Sequence, residues 1–145
     1  EAIALIDKIL MAKFLEMFGD PATNPKGWEV RRLGEVSEVK GGGTPSTKVK
    51  EYYEPPEINW ITVTDVTANK SIYLYTSIKR ISQKGLLKSS AKLLPPNTVI
   101  TSIAATVGEV RILKKAMATN QQFYSILPSS DFIPEYMAFA LRNMF

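Results

Sequence analysis

"VKGGGTPSTKVKEYYEPPEINW" (Val39–Trp60) sets three consecutive glycines ahead of Thr, Ser and Lys and ends on the start of an apolar strand. Its reading decides the fold, because a glycine loop that opens a helix is a phosphate cradle for nucleotides. The P-loop needs a glycine directly before its lysine and a Ser or Thr directly after it. Here Lys48 follows Thr47 and precedes Val49, and the next residues, "KEYYEPPE", do not make the helix such a site requires. The dinucleotide pattern G-x-G-x-x-G fails as well, since Gly43 is followed by Thr-Pro-Ser-Thr. Two readings stay open. The glycines take positive φ and turn a corner that Pro45 stiffens. Or the same corner grips a phosphate through exposed amides, the hydroxyls of Thr44, Ser46 and Thr47, and the ammonium groups of Lys48 and Lys50.

Outward from this loop the pattern is mostly strand. "EINWITV" (Glu57–Val63), "SIYLYTSI" (Ser71–Ile78) and "NTVITSIAA" (Asn97–Ala105) are rich in β-branched and aromatic residues and bounded by turn formers. "EVRIL" and "QQFYSILP" read as two more strands. "WEVRRLGEVSEVK" is ambiguous between helix and strand. "SQKGLLKSSAKLLPP" opens on Ser82 in capping position and reads as a short helix or compact turn. Helices stand at both ends. Ile3, Ile6, Leu10, Phe14 and Met17 form one helical stripe in Glu1–Phe18, which Ile9, Met11, Leu15 and Phe18 widen into a second partner surface. Pro134 lies in the first turn of a helix carrying Tyr136, Met137, Ala140 and Leu141 on one side. "GDPATNPKG" (Gly19–Gly27) reads as a linker. The expected fold class is therefore α/β in the broad sense (α+β): a helix over 1–18, a linker over 19–27, and one strand-rich domain over 28–145.

Composition narrows the chemistry. The chain has 145 residues, of which 45% are hydrophobic and 22% charged, as in an ordinary globular domain. It holds no histidine and no cysteine, which removes Ser-His-Asp triads, Cys-His pairs and Cys/His zinc sites. No apolar run approaches a membrane span, and a cytoplasmic location is expected. The net charge of +4 hides an asymmetry. Up to Asp65 acids outnumber bases. From Val66 to Gly108 the charged residues are Lys70, Lys79, Arg80, Lys84, Lys88 and Lys92, with no Asp or Glu. Such a segment is either a footprint for polyphosphate or a solvated basic face.

The order of segments resembles a known family. "FLEMFGDPATNPKGW", "GGGTPSTKVKEYY", "EINWITVTDV", "ISQKGLLKSSAKLLPPNTVI", "SIAATVGEVRI" and "ATNQQFYSILP" together look like the target recognition domain of a type I restriction-modification specificity (S) subunit. The resemblance implies a non-catalytic α/β domain that presents strands and loops to duplex DNA. It implies modification (methyltransferase) and restriction subunits as partners, with cofactors held by those partners and none here. It also implies that Glu1–Phe18 is the end of a spacer helix that pairs in a coiled coil, through Ile6, Leu10, Phe14 and Met17, with a partner or in a homodimer. The family's domain normally continues past the point matching Phe145, and relatives often carry Arg where this chain has Ala104, so a fragment or a half-length subunit is expected.

DNA contacts are expected from Lys79, Arg80, Lys84 and Lys88, joined by Lys48, Lys50, Thr44 and Ser46. The Arg80 fork matches the guanine O6/N7 edge, or makes an ordinary phosphate contact. Thr62, Thr64, Asp65 and Asn69 follow the Trp60 strand where a reading loop would lie, with Asp65 either accepting from cytosine or capping a turn. Asn120, Gln121 and Gln122 either pair with adenine or cap the turn before Phe123. Tyr52, Tyr53, Tyr73 and Tyr75 either stack on bases or pack a sheet face. Two other functions stand beside DNA recognition. One is a metal-dependent nuclease or hydrolase using Glu51, Glu54, Glu57 and Asp65. The other is a pure assembly module working through the first helix.

Overall fold

A computed structural model describes residues 1–145. Its centre is a strand buried on both faces, β5 (Val99–Ser102), which pairs antiparallel with β6 (Val110–Leu113) and with β8 (Phe123–Ile126). All four β5 residues and all four β6 residues are buried, so β5 reads as Val-Ile-Thr-Ser without alternation, and β6 as Val-Arg-Ile-Leu, with Arg111 among its buried residues. β1 (Val39–Gly41) adds antiparallel to β8, and β3 (Tyr73–Leu74) adds parallel to β6, giving the order β1-β8-β5-β6-β3. A second sheet has the order β4-β2-β7, from Lys79–Ile81, Ile58–Ile61 and Ala118–Thr119.

Each face of the large sheet has its own cover. On one face Val99, Val110, Ile112 and Ile126 meet Ala138 of α5 (Pro134–Arg142). On the other Ile100, Leu113 and Phe123 join Leu74, Ile61 and Val66, the last from α3 (Val63–Ala68). The small sheet closes its own cluster of Ile58, Trp60, Ile81, Ala91 and Ala118. The long helix α1 (Ala2–Phe18) has its one buried residue, Phe14, near its C-terminal end. Phe14 is buried, with its ring centroid 5.6 Å from Tyr136 and 6.1 Å from Phe139, and Asp7 reaches Arg142 at 3.7 Å. Such aromatic pairs add about 1 kcal/mol each beyond area burial.

The expected linker is a cap. Gly19–Gly27 folds back on the end of α1, where Lys26 Nζ donates to the Glu16 and Met17 carbonyls at 2.7 and 2.9 Å and Trp28 Nε1 donates to the Phe18 carbonyl at 2.8 Å. Three carbonyls that a helix end leaves orphaned are thereby satisfied, two of them by a cation at the negative end of the dipole. "WEVRRLGEVSEVK" contains both alternatives, a one-turn α2 (Leu33–Val36) followed by β1. The strand expected over Ser71–Ile78 forms only at Tyr73–Leu74. Pairing then resumes at β4, because Ser77 and Thr76 turn inward to the Asn59 Oδ1 acceptor.

The glycine run does not take the positive φ that the corner-turning reading supposes. Positive φ occurs at Gly19, Gly27 and Gly108, not at Gly41–Gly43. Gly42 and Gly43 are instead sites of close approach. A Cβ on Gly42 would lie 2.0 Å from the Asn120 carbonyl oxygen, and one on Gly43 would lie 2.2 Å from Ser90 Oγ and 2.4 Å from the Ala91 nitrogen. The Gly43 amide donates to the Thr119 carbonyl at 3.0 Å, and its carbonyl accepts from Trp60 Nε1 at 3.0 Å. Gly42→Ala is therefore expected to destabilise the domain by about 3 kcal/mol through overpacking against backbone. Gly41→Ala, which meets nothing within 4 Å, should stay within about 0.5 kcal/mol of the parent. Urea unfolding of the two variants beside the parent reads the difference.

Candidate nucleic-acid interface

The cationic residues are gathered by the second sheet. β4 is an edge strand whose register with β2 sets Lys79 opposite Trp60 and Arg80 opposite Asn59. It leads into α4 (Gln83–Leu87), whose N-cap is Ser82, as its position in the sequence suggests: Ser82 Oγ accepts from the Gly85 amide at 3.0 Å. Gly85 in turn lies against Tyr52, where a Cβ would come within 2.2 Å of the Tyr52 carbonyl oxygen. That contact seats the short 3-10 turn Lys50–Tyr52 on α4. Lys48, Lys50, Lys79, Arg80, Lys84 and Lys88 thus lie on neighbouring elements, all exposed. None of the six cations of the acid-free segment makes an ion pair, which cannot be said of Lys50, held to Glu54 at 3.3 Å.

The same packing brings in charge that the linear sequence kept apart. Glu51 and Glu54 come with the 3-10 turn. Glu57 Oε2 accepts from the Gln83 amide at 3.0 Å, an anion at the positive end of α4. The footprint read from the sequence as free of acids therefore has three glutamates along one side.

The expected reading loop after β2 is a helix. Thr62–Asp65 is a capping box that starts α3: Asp65 Oδ2 accepts from the Thr62 amide at 2.7 Å and from its hydroxyl at 3.0 Å. Asp65 Oδ1 accepts from the Ile78 amide at 2.7 Å, and the residue is 5% exposed. Asp65 is a cap, and no carboxylate oxygen is left for cytosine. Thr62 is committed to the same box, whereas Thr64 is exposed on the first turn. Asn69 ends the helix, its Oδ1 accepting from the Ser71 amide at 2.9 Å. With Lys70, Ser71, Thr76 and Ser77 it lines an open cavity of about 490 Å³.

One residue in this region had no sequence signal. Arg111 on β6 is buried beneath α3, where Nη2 donates to the carbonyls of Val66 and Asn69 and Nη1 meets Glu109 at 3.0 Å. Burial lowers its pKa, partly offset by Glu109. α3 is thus anchored at its N-terminus by Asp65 and at its C-terminus by Arg111. The first anchor was legible as T-x-x-D. The second sat unmarked inside a strand.

At the loop before β8 the three amides separate. Asn120 is buried and closes the turn, its Oδ1 accepting from the Gln122 amide at 3.0 Å and its Nδ2 donating to Gln122 Oε1 at 2.9 Å. Asn120 thus spends both side-chain polar atoms on the turn, and Gln122, half-buried, gives its Oε1 to it. Gln121 is exposed, and its Oε1 accepts from the Thr44 hydroxyl. Ser46 and Thr44 are exposed at the same corner. The tyrosines are mainly structural. Tyr53 donates to the Pro45 carbonyl at 2.6 Å and stands edge-on to Trp60, and Tyr73 donates to Glu135 Oε1 at 3.0 Å. Desolvation raises the pKa of both phenols, joined at Tyr73 by the Glu135 carboxylate. Tyr75 remains exposed.

Of the residues expected to bind a partner, Phe14 is occupied within the chain, as its contacts with Tyr136 and Phe139 show. Ile6, Leu10 and Met17 are exposed, together with Ile3, Leu5 and Ile9. The acids invoked for a hydrolase do not converge, and no group of three or more His, Cys, Asp or Glu is placed to hold a metal ion. No helix is long and apolar enough to cross a membrane.

The chain is a two-sheet α+β domain whose edge strand β4 carries exposed cations without ion-pair partners. Comparison with known proteins makes this specific. Residues 25–145 match the type I restriction modification DNA specificity domain, and the chain belongs to that family. It is 35% identical over 119 residues to the specificity subunit of the type I restriction enzyme MjaIX of Methanocaldococcus jannaschii, covering 82% of this chain and 27% of that protein. It is 30% identical over 119 residues to the HindI specificity subunit of Haemophilus influenzae, covering 82% and 25%. The chain thus spans about a quarter of the length of these relatives. Among solved structures, the HsdS subunit of Thermoanaerobacter tengcongensis shares the fold at a TM-score of 0.65 and 21% identity, over 99% of this chain and 34% of that one. The S subunit from M. genitalium follows at a TM-score of 0.58 and 11% identity, over 99% and 36%.

Fold support and surface charge can be separated by substitution. Asp65→Ala, which orphans three donors, is expected to lower stability by about 3 kcal/mol. Lys84→Ala should leave it within about 0.5 kcal/mol. Thermal unfolding monitored by circular dichroism distinguishes the two.

Proposed function

We propose that this domain recognises duplex DNA for a type I restriction-modification complex, as one reading unit of a specificity subunit and without chemistry of its own. The observation that carries the reading is the set of exposed cations on β4 and α4 that have no partner inside the molecule, in a chain of this family. Unpaired lysines on one edge gain nothing for the fold and repel one another, whereas duplex phosphates neutralise them and release counterions. Lys79, Arg80, Lys84 and Lys88 supply backbone contacts, with Lys48 at the flank. Arg80, on an open strand edge, has the fork that suits guanine. Thr64 and Asn69 stand at either end of the anchored α3.

The partners on this reading are the modification and restriction subunits, and any cofactor belongs to them. The exposed apolar face of α1 serves assembly, against another helix of the complex or a second copy of this domain. Metal-dependent hydrolysis has no observation in its favour.

The test is fluorescence anisotropy of the chain on mixed-sequence duplexes across a salt series. Binding should weaken with a log-log slope of about −3.6 to −5.4, equivalent to four to six phosphates at roughly −0.9 each. Lys84→Ala and Arg80→Ala should each reduce that slope by about 0.9. A slope unchanged in both variants overturns β4–α4 as the footprint. For the helix, Leu10→Asp is expected to abolish concentration-dependent association in sedimentation while leaving the salt slope intact.

A further inference from the structure

The glycine corner brings three stretches of chain that are far apart in sequence to one exposed point. Gly42 lies against the carbonyls of Thr119 and Asn120, and Gly43 lies against Ser90 and Ala91. Directly beyond them the Thr44 hydroxyl donates to Gln121 Oε1. Thr44, Ser46, Ser90 and Gln121 are all exposed, while beneath them the backbone of Gly43 pairs with Thr119, and Asn120 pairs with Ile61 and Gln122; the Thr119 hydroxyl is buried there without a partner. Gln121 is the most exposed amide of its run, and the Thr44 hydroxyl engages its Oε1. With the carbonyl oxygen engaged, the group turned to solvent is the Nε2 amine, which only donates.

A donor-only group suits an acceptor-only target. Adenine readout by Gln needs donor and acceptor together, and the acceptor here is shared with Thr44. A phosphodiester offers acceptors alone. We infer that Thr44 and Gln121 form a neutral clasp for a DNA backbone phosphate, with Gln121 Nε2 as the donor to the phosphate, Thr44 as the residue that positions it, and the Ser90 hydroxyl as a second donor. This rests on the DNA-recognition reading above and adds to it a contact made without a cation. The clasp fixes where the duplex lies relative to the Gly42–Gly43 corner and carries no base information.

Neutral contacts have a signature of their own. A lost lysine reduces the salt slope, because fewer counterions are released, while a lost neutral hydrogen bond lowers affinity at every salt concentration by the same factor. A lost base contact weakens some sequences and not others. The experiment is anisotropy of the chain carrying Gln121→Ala, Thr44→Val, Thr44→Ser or both Gln121→Ala and Thr44→Val, on a panel of duplexes of varied sequence across a salt series. Circular dichroism confirms that each variant is folded. Gln121→Ala should weaken binding about tenfold on every duplex with the slope unchanged. Thr44→Val should do nearly the same, Thr44→Ser should restore parent affinity, and the double variant should be no weaker than Gln121→Ala alone. A weakening confined to duplexes with a particular base overturns the clasp in favour of base reading, and unchanged affinity in folded Gln121→Ala makes the pair a surface hydrogen bond only. If the parent binds no duplex at any salt, the recognition reading fails and the clasp fails with it. Parent binding with unaltered variants sinks the clasp alone.

Discussion

The two sheets meet where Gly42 and Gly43 lie against the chain at Thr119–Asn120 and Ser90–Ala91. β1 belongs to the large sheet, whereas β7 and the Trp60 strand belong to the small one. The chain leaving β1 must therefore pass between them at a separation that excludes any side chain. The Gly43 amide and carbonyl bind to one strand of the small sheet each, through Thr119 and Trp60. On the glycine side the joint is bare main chain, packed against the Thr119–Asn120 and Ser90–Ala91 backbone, the Ser90 and Thr119 hydroxyls and the Trp60 indole nitrogen. Once it is set, the positions of β4, α4 and the loop before β8 follow from ordinary ladder pairing and capping.

Much of this was readable in advance, and the pattern of what was not is instructive. The central strands announced themselves because burial on both faces favours β-branched residues such as Val99, Ile100, Val110 and Ile112, and the terminal helices because stripes and Pro134 mark them. Ser82 was legible as a cap because capping is local. α3 was missed although Thr62–Asp65 spells a capping box, since the apolar strand before it drew the eye to a loop. The two-residue strands β3 and β7 carry no periodicity to detect. The glycine corner was located correctly and explained wrongly. Sequence shows that a side chain is absent, and it cannot show whether torsion or crowding is the reason. Arg111 is the extreme case, because its role depends wholly on what α3 places above it.

Charge followed the same division. The one-sided sign of the segment from Lys70 to Lys92 is a property of the chain, and it survives in the fold as a set of cations without partners. The neighbouring glutamates arrive only through the seating of the 3-10 turn on α4. A linear count describes the charge that a surface can have, and tertiary packing decides what it is set against.

The two anchors of α3 have one more consequence. Asp65 and Arg111 are buried and bonded to main chain at several points, while the cations and hydroxyls of the outer surface are bonded to little or nothing. Stability and surface chemistry are therefore written in different residues. Genetic drift at the exposed positions changes what the domain touches without loosening what holds it together. Folding therefore places little constraint on the exposed positions, and the scaffold stays the same whichever side chains they carry.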